Sequence, residues 1–366
     1  MSTGTIAARR LASLGVSPAV AGDPAAAVRA LGAMQAQDYQ SALWAVGLRT
    51  PGSTLADVEA AVARGAIVRT WPMRGTLHFV AAEDVWWLLA LLTPRVLAST
   101  ARRRQGLGLD TGALAAGRAL VEVALADGPV ARPALFSRLK SAGFEPGGQR
   151  GYHLLLYLAM IGVVCQGPSA GKQPTFTLLE EWVGPAVTLP REEALRRLAL
   201  RYFSGHGPAT ERDLAWWCGL TLKDCRAGIA AASDGLRAET CDGVVHLDVP
   251  REDSVSGRVS GGGHLLPAFD EHLLGYADRG VCLDPAHARR VSPGGGVFRR
   301  TVVVGGQVVG TWTRARRSRS VQVTVERFDG APNDEAALGA ALTRYGVFSG
   351  VEARWSASAS PPPPAP

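Results

Sequence analysis

Two stretches of the chain, GPVARPALFSRLKSAG at residues 128–143 and GPATERDLAWWCGLT at residues 207–221, align without a gap. Each begins with Gly-Pro, and a leucine stands six residues after each of these two prolines. A starting proline and apolar residues three to four positions apart are typical of a short helix that enters a helix-turn-helix. Strand-like sequence follows both copies, FTLL from residue 176 and VVHLDV from residue 244. One small unit therefore occurs at least twice, and repeats of a small unit indicate a modular binder.

The first hundred residues are a divergent third candidate for the same unit. Helices are predicted at 5–13, 24–34, 54–65 and 82–93, and a bent strand or a hairpin is predicted at 66–80. Asp23 before Pro24, and Thr54 with Asp57, supply start signals for two of these helices. Helices followed by a short hairpin are typical of a winged helix-turn-helix.

The sequence changes in character outside these units. A linker is expected at 102–117, and several short strands separated by Gly-Gly turns are predicted at 297–328. We therefore expect a small β domain at 264–352, closed by a helix at 332–346. The proline-rich end, 353–366, is predicted to be a disordered tail.

Composition limits the class of protein. The 366 residues include 39 Lys and Arg against 32 Asp and Glu, so the net charge of +7 favours a polyanionic partner, although solvation alone would also explain it. Five cysteines without C-x-x-C spacing favour a reducing compartment. No signal-peptide pattern occurs, and the apolar runs are shorter than the roughly 20 residues of a membrane span. We expect a cytoplasmic protein without a membrane partner.

The sequence predicts no cofactor and no metal site. His264, Asp270, Glu271 and His272 lie close together, but their spacing matches no metal-ligand motif. Asp270 and Glu271 also fall within an amphipathic segment.

Gln35 and Gln37 flank Ala36, an arrangement that is costly if the two amides are buried without partners. On a helix, side chains two residues apart point in different directions, whereas on an extended segment they lie on the same side. The two amides can serve one site only if the helix from residue 24 ends near Met34. The alternative is two surface amides at the end of a helix.

The stretch RTWPMRGTLH, residues 69–78, contains three candidate site residues. As a strand it places Arg74 and His78 on one face and Trp71 on the other. Arg74 and His78 are candidates for binding phosphate or positioning a water, and Trp71 for stacking on a base. The alternative is an arginine on a wing, a packed tryptophan and a histidine with ordinary structural partners.

Four arginines, Arg314, Arg316, Arg317 and Arg319, fall within six residues of TWTRARRSRSVQV at 311–323. Four arginines in a hairpin are a strong anion-binding feature. The alternation of strand side chains requires at least one pair to face solvent. The alternative is an edge strand protected from aggregation by its charge.

Four stretches together resemble the AlkZ/YcaQ-type DNA glycosylases: MQAQDYQSALWAVGLR, RGTLHFV, YFSGHGPATERDLAWW and LLPAFDEHLLGYADR…GTW. The resemblance covers roughly residues 5–350 in the same order. It implies an α+β fold of three tandem winged helix-turn-helix units, at 1–100, 118–185 and 190–255. It also implies a small C-terminal domain similar to a β-barrel, and a monomer that forms a C shape around double-stranded DNA.

The resemblance further implies excision of N7-alkylated purines by a monofunctional glycosylase, with unhooking of interstrand crosslinks by some members. The family's catalytic signature, Gln, an apolar residue, then Gln or Asp, maps onto Gln35 and Gln37. The Gln-x-Gln form is similar to the branch tied to self-resistance against DNA-alkylating natural products. The family's arginine-bearing hairpin maps, more loosely, onto Arg314–Arg319.

Two alternatives remain open at the level of sequence. Asp38 follows Gln37 directly and points away on an extended chain, but a bend there would make it a candidate base. The rival function is a non-catalytic winged-helix transcription regulator, which composition and arginine clusters fit equally well. A regulator gives the Gln-x-Gln signature no role.

Overall fold

One order of elements recurs along the chain: a helix, a short strand, two helices and a two-stranded hairpin. The computed structural model describes residues 3–19, 22–250, 262–330 and 335–357. The first repeat follows α1 (Thr3–Ser13) and consists of α2 (Pro24–Leu31), β1 (Met34–Gln35), α3 (Tyr39–Arg49), α4 (Leu55–Ala63), β2 (Ile67–Met73) and β3 (Thr76–Ala81).

The second and third repeats follow the same order. The second comes after α5 (Val85–Ser99) and α6 (Ala101–Gly106) and consists of α7 (Thr111–Leu125), β4 (Val130–Ala131), α8 (Arg132–Ser141), α9 (Arg150–Met160), β5 (Val164–Ala170) and β6 (Gln173–Leu178), then α10 (Leu179–Val183). The third consists of α11 (Arg191–His206), α12 (Glu211–Cys218), α13 (Leu222–Ala231), β7 (Arg237–Cys241) and β8 (Val244–Asp248), with an isolated bridge from Ala209 to Leu247 in place of its first strand.

Local signals place several helix ends where the sequence predicts them. Asp23 caps α2 and Pro24 occupies its first turn, while Thr54 and Asp57 form a reciprocal capping box at the start of α4. The predicted helix at 24–34 is too long, because Gly32 adopts a φ of 79° and ends α2 at Leu31. The segment after Gly32 is thereby free to become a strand.

The first two repeats share one six-stranded sheet in the order β1-β3-β2-β5-β6-β4. Within it, β1 pairs with β3 so that Gln35 lies opposite His78. The two hairpins meet where Arg69 on β2 pairs with Gln166 on β5. The candidate residues of the first repeat are therefore held by a sheet that continues into the second.

The C-terminal region is an open sheet and not a closed barrel. Its elements are β9 (Gly263–Leu266), α14 (Glu271–Leu274), α15 (Ala288–Val291), β10 (Thr301–Val304), β11 (Gln307–Arg316), β12 (Ser320–Arg327), α16 (Glu335–Ser349) and β13 (Glu352–Ala357). The strand order is β13-β12-β11-β10-β9, and α16 contacts both edge strands. The predicted disordered tail is wrong at 353–357, which pairs with β12, and 358–366 lies outside the described residues.

Three predicted boundaries need correction. The linker at 102–117 is helical, because it contains most of α6 and the first turns of α7. The second repeat therefore begins at Thr111 and not at residue 118. Helix α1 packs on the third repeat, where Arg9 pairs with Asp248 at 2.7 Å, so 1–100 is not one packing unit. Along the described residues, no helix combines the length and apolar character that a membrane span requires.

A buried ion pair fastens the first repeat to the C-terminal region. The Arg49 guanidinium at the end of α3 donates two hydrogen bonds, each 2.9 Å long, to the Asp270 carboxylate that caps α14. Its Nε also donates to the Leu14 carbonyl at 2.8 Å. Because Arg49 and Asp270 are both buried, each charge depends on the other for its stabilisation.

Asp270→Asn is expected to lower the free energy of unfolding by about 3–5 kcal/mol, because it leaves the Arg49 guanidinium buried without a counter-charge. The measurement is urea unfolding followed by circular dichroism. Glu122→Gln, which removes an exposed pair with Arg118, is the matched control and should change stability by less than about 1 kcal/mol. Equal effects of the two substitutions would contradict the role given to Asp270.

Candidate active site

The Gln-x-Gln segment does not continue the preceding helix: Gln35 lies on strand β1, and Gln37 lies at a bend just before α3. Ala36 is fully buried, whereas Gln35 is half-buried and Gln37 is exposed. The Ala36 N–H donates to the Leu77 carbonyl at 2.7 Å. Gln35 therefore lies on a strand, and two residues further along the Gln37 side chain reaches the surface. The alternative of a helix end is wrong.

The Arg69 guanidinium is hydrogen-bonded to the backbone carbonyls of this segment. Its Nε and Nη2 donate to the Ala36 carbonyl at 3.0 and 2.6 Å, and Nη2 also reaches the Gln37 carbonyl at 3.4 Å. Burial lowers the pKa of Arg69 to about 10, so the guanidinium keeps its charge at neutral pH. The Gln37 Oε1 accepts from the Leu77 N–H at 3.3 Å. A carbonyl oxygen has two lone pairs, so one of them remains for a ligand or a water.

Glu271 supports Gln35 from the C-terminal region. Its Oε1 accepts the Gln35 backbone N–H at 3.1 Å, and its Oε2 accepts the Trp217 indole N–H at 3.0 Å and lies 3.4 Å from the His206 Nε2. Burial alone would raise the pKa of Glu271, but the hydrogen bond and charge of His206, together with the Gln35 N–H, outweigh it and lower that pKa. A buried carboxylate anion therefore lies directly behind the first glutamine.

His78 lies beside Gln35 as a buried, neutral side chain. Its Nδ1 lies 2.9 Å from the Thr76 carbonyl, and its Nε2 has no hydrogen-bond partner among the described residues. Burial and the nearby Arg74 charge lower the pKa of His78 to about 4. His78 is therefore uncharged at neutral pH, which does not suit it to binding phosphate as a cation.

Arg74 and Trp71 occupy different environments. Arg74 is half-buried in the turn between β2 and β3, with a φ of 54°, and donates to the Trp216 carbonyl at 3.5 Å. Trp71 is packed, only 3% exposed, with its ring parallel to Phe176 at a centroid distance of 6.4 Å. The alternative of a packed tryptophan is the one observed, because β2 is covered on both faces.

Asp38 caps the next helix. The chain bends into α3 at this residue, and the carboxylate accepts the Ser41 N–H at 3.1 Å and the Ser41 hydroxyl at 2.9 Å. The Arg300 Nη2 lies 3.6 Å from the same carboxylate. Asp38 therefore lies next to Gln37 with structural partners already in place on both carboxylate oxygens.

The arginine hairpin divides into two parts. Arg316, Arg317 and Arg319 are exposed around the turn between β11 and β12, whereas Arg314 is half-buried and donates to the Tyr345 hydroxyl. Arg300 extends this positive region toward Asp38, since it lies close enough to Arg314 for their like charges to interact. The three exposed guanidinium groups are available to an anionic partner.

Sequence reasoning missed Arg69, Arg300 and the site role of Glu271. The signal for Glu271 in the sequence is a charged residue within the apolar run LLPAFDEHLL, which is typical of a buried carboxylate that needs partners. Within the described ranges, no three His, Cys, Asp or Glu side chains are grouped so as to hold a metal ion. Asp270 is instead engaged by Arg49, and Glu271 by Gln35 and Trp217.

Residues 28–348 match the model of a protein family described as DNA glycosylase AlkZ-like. The chain belongs to this family. The resemblance predicted from the sequence is thus confirmed, and the chain is a DNA glycosylase, an enzyme that hydrolyses N-glycosyl bonds in DNA. Family membership does not favour the alternative of a transcription regulator.

One curated protein and one solved structure, both from Streptomyces sahachiroi, are similar to this chain. An "Interstrand DNA cross-link repair glycosylase" is 28% identical over 300 residues, which cover 76% of this chain and 79% of the relative. The solved structure of "Streptomyces sahachiroi DNA glycosylase AlkZ" matches with a TM-score of 0.80 at 24% identity, covering 97% of this chain and 100% of that one. The α+β fold class is confirmed by this structural match.

The buried neutral state of His78 predicts a pH dependence of stability. Its pKa of about 4 in the fold lies below the ordinary value of 6.5, so the unfolded chain binds a proton that the folded chain does not. The free energy of unfolding should therefore fall as the pH drops from about 6.5 toward 4. In His78→Asn, urea unfolding at several pH values should show a shallower decline over this range. An unchanged slope would contradict the buried neutral state.

Proposed function

We propose that this glycosylase excises N7-alkylated purines, with Gln35 and Gln37 as its catalytic residues. The observation that carries the proposal is the hydrogen-bonded backbone of the Gln-x-Gln segment, which presents one half-buried and one exposed amide. Arg69 fixes its carbonyls and Glu271 fixes its first N–H. The side chains are therefore presented from a rigid backbone, which catalysis by positioning requires.

Uncharged amides suit this reaction for a chemical reason. Alkylation at N7 leaves the purine positively charged, so it departs without a general acid. Cleavage of the C–N bond builds an oxocarbenium-like sugar, which a water then captures. Amide oxygens can hold that water and stabilise the developing positive charge through their dipoles. Purines without a positive charge should consequently be poor substrates.

Glu271 adds negative potential behind the reacting centre. As a buried anion bonded to the Gln35 N–H, it acts through the backbone of that residue and is a positioning residue. Its charge also interacts with that of Arg74, in the turn of the β2–β3 hairpin. Preorganised negative charge stabilises a cationic transition state at little reorganisation cost.

The three repeats are proposed to be winged helix-turn-helix units that embrace double-stranded DNA as a monomer. Their order of helices and hairpins is that of the module, and each repeat ends in a hairpin. The exposed Arg316, Arg317 and Arg319 are proposed to contact phosphates, with Arg300 nearer to the Gln-x-Gln segment. Three units in one chain supply a long DNA-binding surface without dimerisation.

The substrates are proposed to include bulky N7 adducts and interstrand crosslinks. One relative is named as an interstrand DNA cross-link repair glycosylase, and crosslinked N7-alkyl purines carry the same positive charge as methylated ones. The same chemistry therefore serves both lesions. We place the enzyme in the cytoplasm on nucleoid DNA, in repair or in self-resistance to a genotoxin.

Gln37→Ala and Gln35→Ala are each expected to slow single-turnover release of 7-methylguanine from a duplex by at least about 100-fold, the size of effect seen when a preorganised hydrogen-bonding group is removed. Affinity for the duplex should change by less than about twofold, because the phosphate contacts are untouched. Gln105→Ala, which changes an exposed glutamine on α6, is the matched control and should be neutral.

Two results would contradict the catalytic assignment. One is a wild-type rate in both glutamine variants together with loss of activity in Asp38→Asn, which would make Asp38 the base. The other is the absence of excision by the wild-type enzyme from duplexes carrying either 7-methylguanine or a bulky N7 adduct.

Arg317→Ala and Arg319→Ala are each expected to reduce the slope of log affinity against log salt by about 1, because each removes one phosphate contact. Fluorescence anisotropy with an undamaged duplex at several salt concentrations measures this slope. Arg118→Ala, which changes an arginine already paired with Glu122, is the matched control. Slopes identical to wild type in both hairpin variants would refute a phosphate role.

A further inference from the structure

A cavity of about 880 Å³ lies between the first and second repeats, directly beside Gln37. The first repeat contributes the segment after β1 together with α4 and the β2–β3 hairpin, and the second contributes α9, β5 and β6. The volume far exceeds what a single water needs. The cavity therefore continues the candidate active site on the side of the second repeat.

One side of the cavity is aromatic. Trp71 lies parallel to Phe176, with 9° between the ring planes, and Tyr152 meets Trp71 edge-on at a centroid distance of 6.4 Å. All three line the cavity, and Tyr152 is 40% exposed. A group of rings that includes an exposed tyrosine offers a flat ligand both stacking and edge contacts.

Gln166 supplies an unused hydrogen-bond acceptor in the same cavity wall. Its side chain is 5% exposed, and its Oε1 has no hydrogen-bond partner among the described residues. A buried amide oxygen without a partner is costly, and a ligand with an N–H donor would remove that cost. Arg69, Arg132 and Lys172 line the cavity against Asp38 and Glu59, so charges of both signs surround it.

We propose that this cavity binds a planar heteroaromatic group with an N–H donor, in contact with the exposed Tyr152 ring and hydrogen-bonded to Gln166. The assignment rests on the proposed excision of alkylated purines and deepens it. Two parts of a substrate carry this chemistry: the purine itself, turned out of the helix, and a planar group attached to its N7. Since Gln37 lines the cavity, either part would sit next to the proposed catalytic amide.

The test fills the cavity without disturbing the core. Ser169 is exposed and lines the cavity, so Ser169→Trp should obstruct it. The neighbouring Ala170 is also exposed but does not line the cavity, so Ala170→Trp is the matched control. Gln166→Leu removes the acceptor at similar volume, and Gln173→Leu, at an exposed glutamine on the adjacent strand, controls for it.

Single-turnover release is measured from two duplexes, one with 7-methylguanine and one with a planar aromatic substituent at guanine N7. Ser169→Trp should slow release by at least about tenfold, and Gln166→Leu by about three- to tenfold, a range that one hydrogen bond of about 1 kcal/mol accounts for. Slowing on both duplexes supports binding of the purine, and slowing on the second alone supports binding of the substituent. Both controls should keep the wild-type rate.

If Ser169→Trp and Gln166→Leu both release the base from both duplexes at the wild-type rate, the cavity assignment is overturned. The proposed function then stays intact. A wild-type enzyme that releases neither base would contradict the proposed function and the cavity assignment with it. Urea unfolding of Gln166→Leu separates a folding defect from a binding defect. Because the Oε1 is unpaired, this substitution should cost little stability.

Discussion

One carboxylate, that of Glu271, connects the parts of the molecule on which the candidate site depends. It reaches Gln35 in the first repeat and Trp217 and His206 in the third, while its own helix belongs to the C-terminal region. A buried carboxylate is stable only when donors bond to its oxygens, so moving any of these three donors would destabilise the fold. The adjacent Asp270 carboxylate depends in the same way on the hydrogen bonds that Arg49 donates to it. Adjacent acidic residues thus fix the Gln-x-Gln segment relative to the rest of the fold.

The backbone of the Gln-x-Gln segment is bonded to two charged groups, the Arg69 cation and the Glu271 anion. Its own two side chains are uncharged amides, one half-buried and one exposed. This arrangement favours a reaction whose leaving group already carries positive charge, since no proton must be delivered to it. It disfavours reactions that need a strong acid, because the buried His78 stays neutral.

Local signals in the sequence were enough to predict the repeated helices and a bent strand or a hairpin at 66–80, because capping residues, prolines and alternation act over a few positions. The structure has a hairpin there, β2 with β3. Whether the helix from residue 24 ends before Gln35 stayed open, since it depends on Gly32 ending α2 at Leu31. Glu271 and Gln35 are 236 positions apart in the sequence, so no local pattern predicts the hydrogen bond between them. Trp71 was ambiguous for the same reason, because its burial depends on the second repeat. The family resemblance supplied the function that residue patterns alone did not.

The shared sheet explains why the proposed cavity lies next to the glutamines. Arg69 and Gln166 pair across β2 and β5, the point at which the two hairpins join. The Arg69 guanidinium of this pair donates to the carbonyls of Ala36 and Gln37. The Gln166 side chain of the same pair lines the cavity, and its Oε1 has no hydrogen-bond partner among the described residues. Because one strand pairing sets both positions, the spacing between the proposed catalytic amide and the proposed recognition group is fixed by backbone geometry. A unit that is repeated along the chain can in this way form a cavity at the joint between two copies.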